Sequence, residues 1–414
     1  MKRWTLSITA AIVMSSALSG AALANTRHAA APVTITFYEA MPGHLGSTLA
    51  TLTNEFEKSH PNITVQLIYT GSYSTQQQKL VAALAANQPP TIAQVEETWT
   101  TEFNQNGRLI PMQSVLPAGT IKDIFPSLRA DNSYGGKLVT APFNRSAYVL
   151  FYNTDDFKAA GISQPPRTWA ELQADASKLH RDGHYGFGMQ ANYYTFEMFL
   201  HQAGGTDLTA NDKRAAFDSP AGRKALNFMY DLAVKDKSAL VISENAYLSD
   251  GFNTNEYAMD IDTTAAMSFI DNPATHWRVA PLPVGTKMAV PTGGTNIALF
   301  KGATPAQQQA AGAYVNFLIS DPATVAWAKQ TGYLPVRMSA LHSHAWMAYI
   351  GANPIKAVAP AELQYAFFSP RLAALNSGMT SVTTEIGDCL SGSLSVAQTL
   401  SKSAQEINQA LASQ

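Results

Sequence analysis

Reactive side chains at usable spacings are scarce in this chain. The run "GFGMQA", Gly186 to Ala191, fits the glycine pattern of a dinucleotide-binding turn. That pattern cradles phosphate only between a buried strand and a helix, and the preceding "HRDGHY" is no buried strand. His342 and His344 in "LHSHAW" have neither cysteine nor carboxylate close by, so solvated surface histidines are expected, not a metal site. Glu96–Glu97 and Asp155–Asp156 are adjacent acids. Strand neighbours point to opposite faces, so neither pair shares a site. Walker loops, zinc-protease helices and nucleophile elbows do not occur in the sequence. The expectation is a protein that binds without transforming, with no metal and no cofactor.

Bulk properties agree with that. The chain has 414 residues, which suggests two domains. Apolar residues make up 46% and charged residues 14%, the balance of a globular protein. A formal net charge of −2 gives no footprint for nucleic acid and none for a membrane surface. At the N-terminus, Lys2 and Arg3 precede the apolar "LSITAAIVMSSAL", and Ala22 and Ala24 form a small-residue cleavage pair. Residues 1–24 therefore read as a secretory signal peptide, and an exported, periplasmic protein is expected. Cys389 is the lone cysteine, so no internal disulfide can form and the fold depends on its core.

The elements follow from periodicity. "VTITFYEA" alternates as a strand does, a helix carries Leu49, Leu52 and Phe56 on one face, and "ITVQLIY" is a second strand. A helix from about residue 74 to 86 and the strand in "PPTIAQV" complete a strand-helix-strand-helix-strand run, which predicts a parallel sheet. Thr168 with Glu171, Ser219-Pro220, Thr304-Pro305 and Asp321-Pro322 mark helix starts, and Gly332 is a stop. A last helix is predicted over about 395–411. "LVTAPFNRSAYVLFYNTDDF" reads as extended chain, with Pro142 suiting a domain boundary better than a central strand.

Several stretches, in collinear order over nearly the whole mature chain, resemble one family. They are "YTGSYSTQQQKLVAALAANQPPTIAQVEE", "PFNRSAYVLFYNTDDFKAAG", "PPRTWAELQADASKL", "GGTNIALFKGA", "YVNFLISDPATVAWAKQTGYLPV" and "SPRLAALNSGM". The family is the solute-binding proteins of carbohydrate-type ABC importers, with the closest likeness to its glycerol 3-phosphate branch. The resemblance implies an α/β, two-lobed periplasmic binding protein fold with a ligand cleft between lobes. Lobe 1 would comprise 32–142 and 283–331, and lobe 2, helix-rich, 145–279 and 335–414. Three hinge crossings would fall near 142–145, 279–283 and 331–335. A monomer handing a small molecule to membrane permease subunits is implied.

The same resemblance assigns ligand contacts. Tyr73 in "TGSYS" and Glu97 in "QVEE" match family positions, Glu97 suiting the hydroxyl end because a carboxylate repels phosphate. Ser146 in "PFNRS" matches the family's serine on the first crossing; strand alternation makes the adjacent Arg145 a poorer candidate, and Asn144 has no matching role. Thr264, before an apolar helix, would meet phosphate at a helix N-terminus. Gly294 in "PTGGTN" lets backbone approach the ligand, Tyr333 offers a phenol, and Arg371 in "SPRLAA" offers a planar fork to the phosphate. Tyr193 replaces one of two tryptophans that flank the ligand in this branch, and Gln190 the other. A smaller, more polar wall points to glycerol 3-phosphate or a bulkier glycerophosphodiester such as glycerophosphocholine. The alternative is a neutral mono- or oligosaccharide.

Overall fold

The computed structural model describes residue 1, residues 31–244 and residues 246–413. Apart from Met1, the signal-peptide expectation lies outside the described residues. Eleven strands form one sheet whose main path runs Ile63–Tyr69, Val33–Glu39, Ile92–Val95, Val290–Phe300, Ala141–Asn153, Met259–Thr263, Phe187–Gln190 and Ala239–Ile242. The first three are parallel, as helical crossovers between them require. The last three are parallel to one another as well. Between these halves lie two long antiparallel strands, Ala141–Asn153 and Val290–Phe300.

Local chemistry sets where the helices begin and end. Ser72 accepts from the Thr75 amide at the start of Tyr73–Ala85, and Thr168 with Glu171 and Thr304 with Gln307 make capping boxes. Helix Asp321–Thr331 stops at Gly332, which is left-handed at φ 76°. A Cβ there would stand 2.3 Å from the Thr264 carbonyl oxygen, so only glycine fits, and Tyr333 is delivered at a fixed angle.

Pro142 sits inside a central strand, contrary to the expectation that proline suits a boundary better than such a strand, and it stands just before the chain passes from one cluster to the other. It faces Asn296, where the register shifts and Phe143 is left without an opposite residue. A bulge tolerates the missing proline N–H. Phe143 packs instead against Trp327, with ring centroids 4.9 Å apart.

Buried apolar side chains gather into two large clusters. One holds Phe37, Leu52, Phe56, Tyr314 and Trp327; the other holds Phe151, Phe187, Phe196, Met229 and Tyr257. Each fully buried side chain of this size stabilises by about 1.5–3 kcal/mol. The chain leaves the first cluster between Phe143 and Ala147. It returns between Val290 and Ile297, later than the expected 279–283, because strand Trp277–Ala280 pairs with Leu150–Asn153 well inside the second half. At Tyr333, Leu334 and Val336 the chain runs along the seam, alternating between clusters. Cys389 is fully buried in the second cluster, on helix Ala373–Leu390 against helix Val396–Ala412. Among the described residues no helix is long and apolar enough to cross a membrane.

Candidate functional site

The two long strands carry the site where they pass between clusters. Two adjoining cavities, about 510 Å³ and about 240 Å³, share Tyr73, Glu96, Tyr194, Thr263 and Tyr333 in their walls. Arg145, Ser146 and the stretch Thr292–Gly294 wall the smaller one. Gly294 lies opposite Arg145 and Gly293 opposite Ser146. Gly294 has φ 101°, and a Cβ on it would stand 1.8 Å from the Asn144 carbonyl oxygen.

Arg145 is 2% exposed. Its guanidinium forms an ion pair with Glu97, donates to Thr292 Oγ1 at 3.1 Å and leaves Nε without a protein partner. It is the only basic side chain on the walls of either cavity among the described residues. Asn144, at the heart of the strand, donates to the Tyr73 hydroxyl at 2.9 Å and accepts from Gln94 at 2.9 Å. Burial raises the Tyr333 phenol, while bonds to Asn144 and Tyr73 pull it back. Asn144 therefore sets both phenols in place.

The remaining walls are acidic. Burial, with Glu97 beside it, pushes Glu96 up to about 8, and burial pushes Asp262 up to about 7. Glu197 lies well above the carboxylate range, through burial and then the nearby Asp207. At neutral pH much of this lining is uncharged carboxyl, able to donate as well as accept hydrogen bonds.

Tyr73, Glu97, Ser146, Gly294 and Tyr333 come together around the smaller cavity. Tyr193 reaches the larger cavity, but its ring is 1% exposed and its hydroxyl donates to Asp207 at 2.6 Å. Its neighbour Tyr194 lines both cavities. Gln190 turns away and donates to the Ala246 carbonyl at 2.7 Å. Thr264 lines neither cavity, and no apolar helix follows it; Thr264–Ser268 is a short 3-10 turn, and Thr263 faces the cleft instead. Arg371 also lines neither. Its guanidinium donates to the carbonyls of Ala130 at 3.2 Å, Asp131 and Ser133 at 2.9 Å, and lies over the Tyr134 ring. His342 and His344 are exposed. Sequence reasoning missed Arg145, Glu96, Glu197 and Asp262. Strand alternation sets Arg145 aside, yet both Arg145 and Ser146 line the cavity, opposite Gly294 and Gly293, which carry no side chains to cover them.

Residues 43–325 match the family model described as bacterial extracellular solute-binding protein. The chain belongs to this family. It is a solute-binding protein of the ABC importers, a class that captures and delivers ligands and is not enzymatic. It is 26% identical over 365 residues to the sn-glycerol-3-phosphate-binding periplasmic protein UgpB of Brucella melitensis, covering 83% of this chain and 84% of that one. Against UgpB of Salmonella typhimurium the identity is 25% over 354 residues, 80% and 81% of the two chains. The fold superposes on UgpB from Mycobacterium tuberculosis in complex with glycerophosphocholine with a TM-score of 0.85 at 23% identity, covering 92% and 99% of the two chains. A solute-binding protein from Thermotoga lettingae bound with alpha-D-tagatose gives 0.82 at 26% identity, covering 91% and 99%. This solute-binding protein thus shares its α/β fold with one protein solved with glycerophosphocholine and with another solved with alpha-D-tagatose.

Proposed function

We propose that this solute-binding protein captures a glycerophosphodiester, with glycerophosphocholine as the reference ligand, or glycerol 3-phosphate, in the periplasm, and hands it as a monomer to the permease subunits of an ABC importer. One observation carries the reading: a single guanidinium, Arg145, stands among acidic, tyrosine-rich walls. Arg145, the Ser146 hydroxyl and the phenols of Tyr73 and Tyr333 offer donors suited to phosphoryl oxygens. Glu96, Asp262, Tyr148 and Tyr194 offer carboxyls and ring faces suited to hydroxyls or to a cationic head group. A zwitterion meets both needs, whereas a bare dianion is repelled by Glu97. The UgpB relatives support the same class. In this reading the lobes are the two apolar clusters, roughly 32–142 with 297–333 and 145–290 with 355–413, and the site lies on the strands between them.

A second reading, a neutral mono- or oligosaccharide, draws on the larger cavity, where Trp99, Tyr73 and Tyr194 present aromatic surface. Titration calorimetry against glycerophosphocholine, glycerol 3-phosphate and maltose in one buffer separates the two. Glycerophosphocholine should saturate at one per chain. The paired substitution Arg145→Met with Glu97→Gln, which avoids stranding a buried charge, should weaken it by about ten- to a hundredfold, the worth of a charged hydrogen bond. Heat from maltose alone, unchanged in that variant, would hand the site to the saccharide.

A further inference from the structure

Glu197, on the wall of the smaller cavity, is joined by two side chains, His201 and Asp207, that line neither cavity. Glu197 and His201 are four residues apart on helix Tyr193–Gln202 and so share a face, and Asp207 lies in the turn that follows. One ligand atom from each lies within 4.8 Å of the others. Glu197 is 1% exposed, Asp207 3% and the His201 side chain 16%.

We propose that Glu197, His201 and Asp207 bind a divalent cation of the zinc class. Each carboxylate has one oxygen held from outside the cluster. Ser369 Oγ donates to Glu197 Oε2 at 2.7 Å, and the Tyr193 hydroxyl donates to Asp207 Oδ1 at 2.6 Å. The atoms left over converge: Glu197 Oε1, which has no hydrogen-bond partner, His201 Nε2 and Asp207 Oδ2. Phe367 stacks on the His201 ring with centroids 4.0 Å apart and planes 4° apart, which fixes the imidazole. Outer bonds of this kind orient metal ligands. Two oxygens and one imidazole nitrogen, with no thiolate, suit Zn²⁺ or Co²⁺.

Nε2 and Oδ2 are 2.6 Å apart, a hydrogen-bond distance. Tetrahedral ligand atoms on bonds of about 2.0–2.2 Å sit about 3.3–3.6 Å apart, so Asp207 must draw back by about 0.7–1.0 Å. The proton between imidazole and carboxylate leaves to solvent, and binding releases acid. The rival occupant is a proton shared by Glu197 and Asp207.

The test uses the full chain, without an affinity tag, stripped with EDTA and titrated with Zn²⁺ by calorimetry and with Co²⁺ by visible absorption. One equivalent of Zn²⁺ should bind with proton release, and Co²⁺ should show the intense bands of a four-coordinate site. His201→Gln and Asp207→Asn should each weaken binding by at least about tenfold, with circular dichroism confirming a folded chain. The double substitution His342→Gln and His344→Gln should leave binding intact. Failure of the unaltered protein to saturate by roughly 100 µM Zn²⁺ would overturn the site, as would affinity that survives His201→Gln.

Discussion

Arg145 lines the smaller cavity, and Arg371, expected at the phosphate, lines neither cavity. The resemblance implies Arg371 as the phosphate clasp, because its planar fork near the chain's end matches a family motif. In the fold its guanidinium is committed to three backbone carbonyls of residues 130–133. Arg371→Ala should therefore act mainly on stability. A loss of about 1–2 kcal/mol is expected, discounted from the usual worth of charged hydrogen bonds for partial exposure, with a melting temperature lower by about 1–3 °C. Affinity for glycerophosphocholine should change little, and a hundredfold loss would return the clasp to Arg371. Tyr73 and Tyr333 could be placed on the cavity wall because each stands beside a helix end that the sequence announces, the Ser72 cap and the Gly332 stop. Arg145 could not, because alternation assigns each residue to one face, and the bare glycines that face Arg145 and Ser146 come from a strand about 150 residues later in the chain.

The crossing strands are the decisive elements. Their register puts Gly294 against Arg145 and brings a carbonyl oxygen within 1.8 Å of where a Cβ would be. Gly294→Ala should cost about 1–3 kcal/mol from its φ alone, with the clash added, and should abolish measurable ligand binding. Thermal melting and calorimetry on the same sample check both; an alanine variant that binds normally would mean the strands do not set the site. Helix starts read well from sequence because capping is local, a matter of three or four residues. The second crossing and the short turn at Thr264 read poorly. Whether apolar residues after a strand become a helix or a single 3-10 turn depends on what packs against them, here Gly332 and its helix.

At the scale of the whole molecule, burial of acids in the cleft ties stability to pH. Glu96 titrates at about 8 and Asp262 at about 7, both above their ordinary values. The folded chain then holds protons that the unfolded chain releases from about pH 4 upward. Their contribution is complete below that pH and is lost as pH rises through about 7 to 8. Unliganded protein should melt at a lower temperature at pH 9 than at pH 6, and Glu96→Gln with Asp262→Asn should flatten the slope; scanning calorimetry across that range decides. The parallel half-sheets and two-lobed plan were legible because alternating strands and helices permit few layouts. The acid-lined interior was not, since it is assembled from residues scattered along the sequence. Cys389, sealed inside the helix pair, has one more consequence. A thiol reagent confined to water meets no native target on the intact fold. Two cysteines introduced on opposite rims of the cleft would then take spin labels or dyes uniquely, and any change in the width of the cleft on adding ligand becomes measurable as a ruler distance without first removing any natural residue.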